Sequence, residues 1–179
     1  MNRLLASVTL VVVWSMALAG QSPAAPTIRV PQLERSIHDL VNRERMAAKR
    51  PALRADDRLA QIARGHSEDM AKRHFFDHIN AQGEDPTARG RRSGYECRKQ
   101  VDAHSFRIGL AENLSDVPRY SRVYTSGGRR TYEWNGAADI ARQAVDGWMH
   151  SPGHRRNILD GAYSDTGVGV AVTGDDVFI

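Results

Sequence analysis

Only one of the 179 residues is a cysteine, Cys97. An internal disulfide is therefore excluded, and the fold must be held by packing. Cys97 is left as a small buried hydrophobe or as a thiol for an intermolecular bridge. Lysine is nearly as scarce: Lys49, Lys72 and Lys99 are the three lysines among 25 basic residues. The net charge of +4 is small and dispersed, which speaks to solubility and gives no footprint for nucleic acid. Familiar catalytic patterns are missing too. There is no Gly-x-Ser-x-Gly elbow, no phosphate-binding glycine loop with lysine, and no His-Glu-x-x-His helix. A Cys–His enzyme would have to use Cys97 beside Arg98 and Lys99, and adjacency alone supplies no placed base.

Long apolar runs are absent except at the start. Asn2 and Arg3 precede a mostly apolar stretch, Leu4 to Leu18, and Ala17-Leu18-Ala19 puts small residues before Gly20. This three-part pattern predicts a Sec signal peptide over 1–19, cut near Ala19-Gly20. A spanning helix needs about 20 apolar residues, more than this run offers. The expected product is secreted or periplasmic, with no transmembrane segment in the mature chain. Residues 20–30 read as a flexible lead-in and 31–179 as one domain, a length that can bury its own core.

Helical periodicity is clearest in three places. Leu33, Ile37, Leu40, Val41 and Met46 mark a face over about Pro31 to Lys49. Leu59, Ile62, Ala63, His66 and Met70 mark a second, with Asp56 or Asp57 as N-cap. Ile140, Ala141, Ala144, Val145 and Trp148 mark a third from Ala137 to Met149, which Pro152 breaks. One more turn is expected at His154 to Leu159. Asp77 to Gln100 reads as loops with a short helix near Thr87 to Arg92, and Ile108 to Asn113 as the start of a short element. Arg119 to Thr125 and Arg130 to Trp134 flank Gly127-Gly128, which predicts a β-hairpin with Arg122 facing Glu133 and Val123 facing Tyr132. Gly167 to Thr173 and Val177 to Ile179 read as strands joined at Gly174-Asp175. The sequence stops inside the last strand, which is either short or truncated.

Histidines carry the chemical interest. His74 and His78 are four apart, as are His150 and His154. That is metal-clip spacing on a helix, but the first pair falls where the second helix frays and Pro152-Gly153 interrupts the other. His38 and His104 read as surface residues, and His66, on an apolar face, as a hydrogen-bonded core histidine.

Several motifs occur in an order that resembles a known family. They are Leu40-Val41-Asn42-Arg43-Glu44-Arg45, Leu53 to Ala63 and His66-Ser67-Glu68-Asp69-Met70-Ala71; Phe75-Phe76-Asp77-His78 with Gly83, Pro86 and Arg89; Ala111-Glu112-Asn113-Leu114; Gly147-Trp148-Met149-His150-Ser151-Pro152-Gly153-His154-Arg155-Arg156-Asn157-Ile158-Leu159; and Gly167-Val168-Gly169-Val170. Together they resemble bacterial members of the cysteine-rich secretory protein, antigen 5 and pathogenesis-related 1 (CAP) family, also called SCP domains, over about residues 36–179. The resemblance implies an α+β fold, a three-layer α-β-α sandwich around a central antiparallel sheet, with the hairpin at about 119–134 as an insertion. It also implies a cleft lined by two histidines and two acids. By motif these are His78, Glu112 and His154, with Asn113 beside them. The second acid falls at Ser151, so any mechanism needing paired carboxylates loses its partner.

Two imidazoles and a carboxylate are a plausible set for zinc or another divalent metal with an open position, and zinc would lower the pKa of bound water to about 7. The same three groups can instead hydrogen-bond to one another and hold loops in place. Three functions stay open. One is binding of a lipid, envelope component or protein ligand at the cleft. Another is zinc-dependent hydrolysis of peptides or cell-envelope material. The third is a non-catalytic envelope interaction module. Tyr120, Tyr124, Tyr132 and Trp134 on the hairpin read as a packing flap or as an aromatic lip.

Overall fold

The structure, a computed structural model, describes residues 24–100 and 102–179. The expected signal peptide and residues 20–23 of the lead-in lie outside them. Pro26 and Ile28 are tied to the domain: the Arg119 guanidinium donates to the Pro26 carbonyl at 2.8 Å, and Ile28 packs on the core.

Helix α1 (Val30–Ala47) has Pro31 in its first turn and buries Leu33, Ile37, Val41 and Arg45, spaced four apart. Strand β1 (Arg54–Ala55) leads into α2 (Asp57–Arg73). Asp56 caps that helix, its carboxylate accepting from the Arg58 and Leu59 amides at 2.8 and 2.9 Å, and His74 ends it in the left-handed conformation. A short helix α3 (Pro86–Arg92) follows, then the ribbon β2 (Arg98–Gln100) and β3 (Phe106–Ile108). The element expected from Ile108 onward instead ends there, because Gly109 takes φ +111 and leaves the ladder. Next come β4 (Asp116–Pro118), the hairpin β5 (Tyr120–Ser126) and β6 (Arg129–Trp134), α4 (Ala137–His150), α5 (Pro152–Leu159), β7 (Asp165–Thr166), β8 (Ala171–Thr173) and β9 (Asp176–Phe178).

The central sheet runs β4-β9-β8, all antiparallel. Its pleat sorts the core. Val177 on β9 joins Leu33, Ile37, Ile140, Ala144 and Trp148 on the side of α1, α4 and α5, while its neighbour Phe178 joins Met70, Ala71, Leu114 and Ala171 on the side of α2. This is the expected α-β-α arrangement. Arg122 pairs with Glu133 and Val123 with Tyr132, as expected, and Gly127 and Gly128 turn at φ +56 and +77.

Gly167 to Thr173 is not one continuous strand. Only Ala171–Thr173 joins the sheet. Gly167 to Val170 lies directly on α2, where a β-carbon at Gly167 would fall on the backbone of Leu59 and Ala60, and one at Gly169 on that of Ala63 and Arg64. The segment trades ladder bonds for side-chain ones. Ser67 Oγ donates to the Gly169 carbonyl at 3.1 Å, and the Val170 amide donates to Glu34 at 3.1 Å. Glu34 also takes a two-pronged ion pair from Arg64 at 2.9 and 2.7 Å, so one carboxylate ties α1, α2 and this segment together.

Candidate functional site

The loop after α2 carries His78, and its shape is set by short polar side chains. Asp77 accepts from the Ile79 amide at 2.8 Å, and Asn80 accepts from the Gln82 and Glu84 amides at 3.1 and 2.8 Å. Arg89, on α3, lies under that loop. It is 3% exposed, and its Nη1 donates to the carbonyls of His78 at 2.7 Å and Glu84 at 3.0 Å. Its Nη2 is hydrogen-bonded to Glu112 Oε2. The other Glu112 oxygen accepts from His78 Nδ1 at 2.9 Å. Glu112 is thus held from both sides, by a buried guanidinium and by an imidazole whose side chain is 49% exposed.

Helix α5 brings in the rest. Asn157 donates to the Glu112 carbonyl at 3.3 Å and to Asn113 Oδ1 at 3.0 Å, and Asn113 Nδ2 donates to the His154 carbonyl at 3.1 Å. The half-buried His154 ring has its pKa lowered, first by burial and then by the nearby charge of His78. His78, Glu112, Asn113 and His154, four residues from three separate segments, therefore come together. Ser151 sits at the junction of α4 and α5 and enters only through its backbone: its amide donates to the Trp148 carbonyl at 3.2 Å and its carbonyl accepts from the Arg155 amide at 2.8 Å. His74 lies at the end of α2 and His150 at the end of α4, so neither four-residue histidine pair shares a helix face.

Arg89 and Asn157 are the members that sequence reasoning did not place in the site. Both stood within motifs already singled out. The available signal was chemical: a lone carboxylate beside a histidine, in a chain without a second acid at Ser151, calls for a cation.

The donor set does not fit a three-ligand metal centre as arranged. Both oxygens of Glu112 are committed, and so is Nδ1 of His78. Among the described residues no group of three or more His, Cys, Asp and Glu side chains is placed to hold a metal ion. What remains is Nε2 of His78 and the His154 ring, one donor short of the three protein ligands usual at catalytic zinc.

Glu112 and Asn113 also form part of the wall of a cavity of about 470 Å³. Most of its lining is apolar, including Leu59, Ile62, Leu110, Trp148 and Val168. It is bounded by α2, the segment from Tyr95 to Leu114 and the segment from Ala162 to Gly169, and Val41, Leu53, Trp148 and Ile158 of the larger core cluster also line it.

The cysteine-rich secretory protein (CAP) family model matches residues 38–179. The chain belongs to this family. Proteins similar to this chain include the uncharacterized membrane protein YlbC of Bacillus subtilis (strain 168), 28% identical over 137 residues, covering 76% of this chain and 31% of that protein. Another is the uncharacterized protein YkwD of the same organism, 28% identical over 141 residues, covering 79% of this chain and 43% of that protein. The chain thus spans less than half the length of these relatives. Among solved structures, an extracellular protein containing an SCP domain from Bacillus anthracis str. Ames aligns with TM-score 0.53 at 22% identity, over 83% of this chain and 39% of that one. An outer surface protein from Borrelia burgdorferi aligns with TM-score 0.54 at 13% identity, over 87% of this chain and 94% of that one. At these identities the likeness is one of fold. Among the described residues no helix is long and apolar enough to cross a membrane.

Proposed function

We propose that this CAP-domain chain is a secreted ligand-binding protein, in which His78, Glu112, Asn113 and His154 form the polar rim of a site for a lipid or other apolar envelope component. One observation carries the reading: Glu112 and Asn113 belong at once to the surface cluster and to the wall of the 470 Å³ cavity. A mostly apolar hollow of this size with a few convergent polar groups is the usual form of a small-molecule site. The N-terminal pattern of Arg3, Leu4 to Leu18 and Ala19 supports secretion.

His78 acts in this reading as an exposed hydrogen-bonding group. Its Nδ1–H is held by Glu112, which leaves Nε2 to meet a ligand. Arg89 holds Glu112 in place, and the protonation of His154 is opposed first by burial. These are binding roles, and none of them requires a bond to be broken.

The test is native mass spectrometry and organic extraction of protein purified from the culture medium. The expected result is a chain starting near Gly20 with a bound or exchangeable apolar compound, whose affinity falls about tenfold in His154→Ala, the loss typical of one binding contact. A chain that carries no such compound and takes up none from a panel of envelope lipids would end the reading. Zinc calorimetry separates the hydrolase alternative: tight one-to-one binding abolished by His78→Ala would restore it, and the commitment of Glu112 to Arg89 makes weak binding the expected outcome.

A further inference from the structure

A second hollow, of about 540 Å³, lies at the junction of α4 with α5. Among the described residues it shares no lining residue with the cavity beside Glu112. The buried Arg45 guanidinium sets its place. It donates to the Ile158 and Asp160 carbonyls and so pins the end of α1 to the end of α5. The chain then leaves α1 through Lys49 at φ +57, and the Arg50 amide donates to the Arg45 carbonyl at 2.8 Å. That brings Arg50 to the hollow, with its Nη1 3.4 Å from where a β-carbon on Gly161 would stand. Helix α4 ends at His150 and Pro152 starts α5, which then presents Arg155 and Arg156 to the same hollow.

Three arginines and a histidine thus line one concave surface, with Met149, Pro152 and Leu159 as its apolar part. Elsewhere Arg64, Arg89 and Arg107 are each paired with a carboxylate. Among the described residues the side chains of Arg50, Arg155 and Arg156 make no hydrogen bond and no ion pair. The acid of the hollow, Asp160, is already committed to Arg107 and to the Ala162 amide, the latter at 2.8 Å. His150 Nδ1 donates to the Asp146 carbonyl at 2.7 Å, which leaves its Nε2 to meet a ligand. Cations gathered without anions repel one another, and a bound anion relieves that cost. A carboxylate matches a single guanidinium fork. A phosphate monoester offers three acceptor oxygens and close to two charges, which suits three arginines that meet in one place. The hollow has the size of a small-molecule site, so its apolar part can also take the organic half of the ester.

We propose that this hollow binds the phosphate group of a phosphate monoester, with Arg50, Arg155 and Arg156 as the binding residues. The site is separate from the cavity beside Glu112, and either can stand without the other. It gives the Arg155-Arg156 pair a role outside the His78, Glu112 and His154 cluster.

The experiment is calorimetric titration of the full chain with glycerol 3-phosphate and with glycerate at one ionic strength. The expected result is saturable one-to-one binding of glycerol 3-phosphate, about tenfold tighter than glycerate, the difference that one more charge-assisted hydrogen bond makes. Arg155→Gln and Arg156→Gln should each weaken it about tenfold and leave the melting temperature unchanged. Arg129→Gln removes the same charge from the exposed hairpin and should change the affinity by less than about twofold, since salt screens so remote a charge. Absence of saturable binding, equal affinity for glycerate, or an equal loss in Arg129→Gln would overturn the site. The comparison of the two ligands in the unaltered chain decides the matter even if a variant fails to fold. Phosphatidylcholine vesicles with and without phosphatidic acid distinguish the source of the phosphate. Cosedimentation that needs phosphatidic acid and is lost in Arg155→Gln would assign a lipid headgroup. A chain that binds glycerol 3-phosphate and stays in solution would assign a soluble ester. Both of these results support the site.

Discussion

On one side of the central sheet, Leu33, Ile37, Ile140 and Ala144 are completely buried where α1 and α4 meet. On the other side, α2 contributes Met70 and Ala71 to a much smaller cluster, while its Leu59, Ile62 and Ala63 face the 470 Å³ cavity, whose wall Trp148 and Ile158 of the larger cluster share. The first side is held mainly by apolar contact, with the buried Arg45 guanidinium donating to the Pro51, Ile158 and Asp160 carbonyls. The second is held by polar fixings: Glu34 with Arg64, Ser67 with Gly169, Arg89 with Glu112 and Asn157 with Asn113. A domain that must keep a hollow open cannot fill it with side chains, so it positions the walls with directed bonds instead.

This contrast can be broken by substitution. The largest effect is expected at the seam between the two sides. Gly169→Val places carbon on the backbone of Ala63 and Arg64, and overpacking against a rigid helix costs about 3 kcal/mol or more. Circular dichroism should show a chain that is largely unfolded at 37 °C. A native spectrum would mean that this segment and α2 separate easily.

Next in size is a matched pair. Ile140→Ala in the packed side should cost about 3 to 4 kcal/mol by denaturant unfolding. Ile62→Ala, beside an existing hollow, should cost about 1 kcal/mol, because few contacts are lost there. Equal costs would erase the distinction between the two sides.

Arg89→Met leaves the mostly buried Glu112 without its cation, at a cost of about 3 kcal/mol. Arg89→Lys should recover only part of this, since one ammonium cannot reach the His78 and Glu84 carbonyls and Glu112 together. Full recovery with Lys would reduce the role of Arg89 to its charge.

A smaller effect follows from pH. His66 and His154 both have lowered pKa values, from burial first. As pH falls through about 6.5 the unfolded chain takes up protons that the folded chain resists, so stability declines below that point. The melting temperature should drop between pH 7.5 and 5, and His154→Gln should flatten the slope. A melting temperature that rises on acidification would contradict both assignments. The smallest effect belongs to the exposed hairpin: Arg122→Ala, which loses a 3.9 Å surface pair with Glu133, should change stability by less than about 0.5 kcal/mol.

How far these features could be read from the sequence depended on how local their causes are. Asp56 as a cap, the α4 face from Ile140 to Trp148 and the Arg122–Glu133 register follow from neighbours in the chain, and the structure has them. The meeting of His78, Glu112 and His154 came from the resemblance to the CAP family, since no spacing rule joins residues so far apart. Arg89 escaped because its long side chain reaches three acceptors that only the folded loop assembles. Gly167 to Val170 was read as sheet because Val alternates with Gly, a pattern that cannot distinguish a strand partner from a helix backbone. The empty volume beside His66 has no sequence signature at all.

A crystal of the protein soaked with 1-decanol tests the central claim most directly. The expected result is a continuous chain of density in the cavity beside Glu112 and Asn113, with Glu112 still held by His78 and Arg89. A cavity occupied only by ordered water, or closed by collapse of α2 onto the sheet, would contradict it.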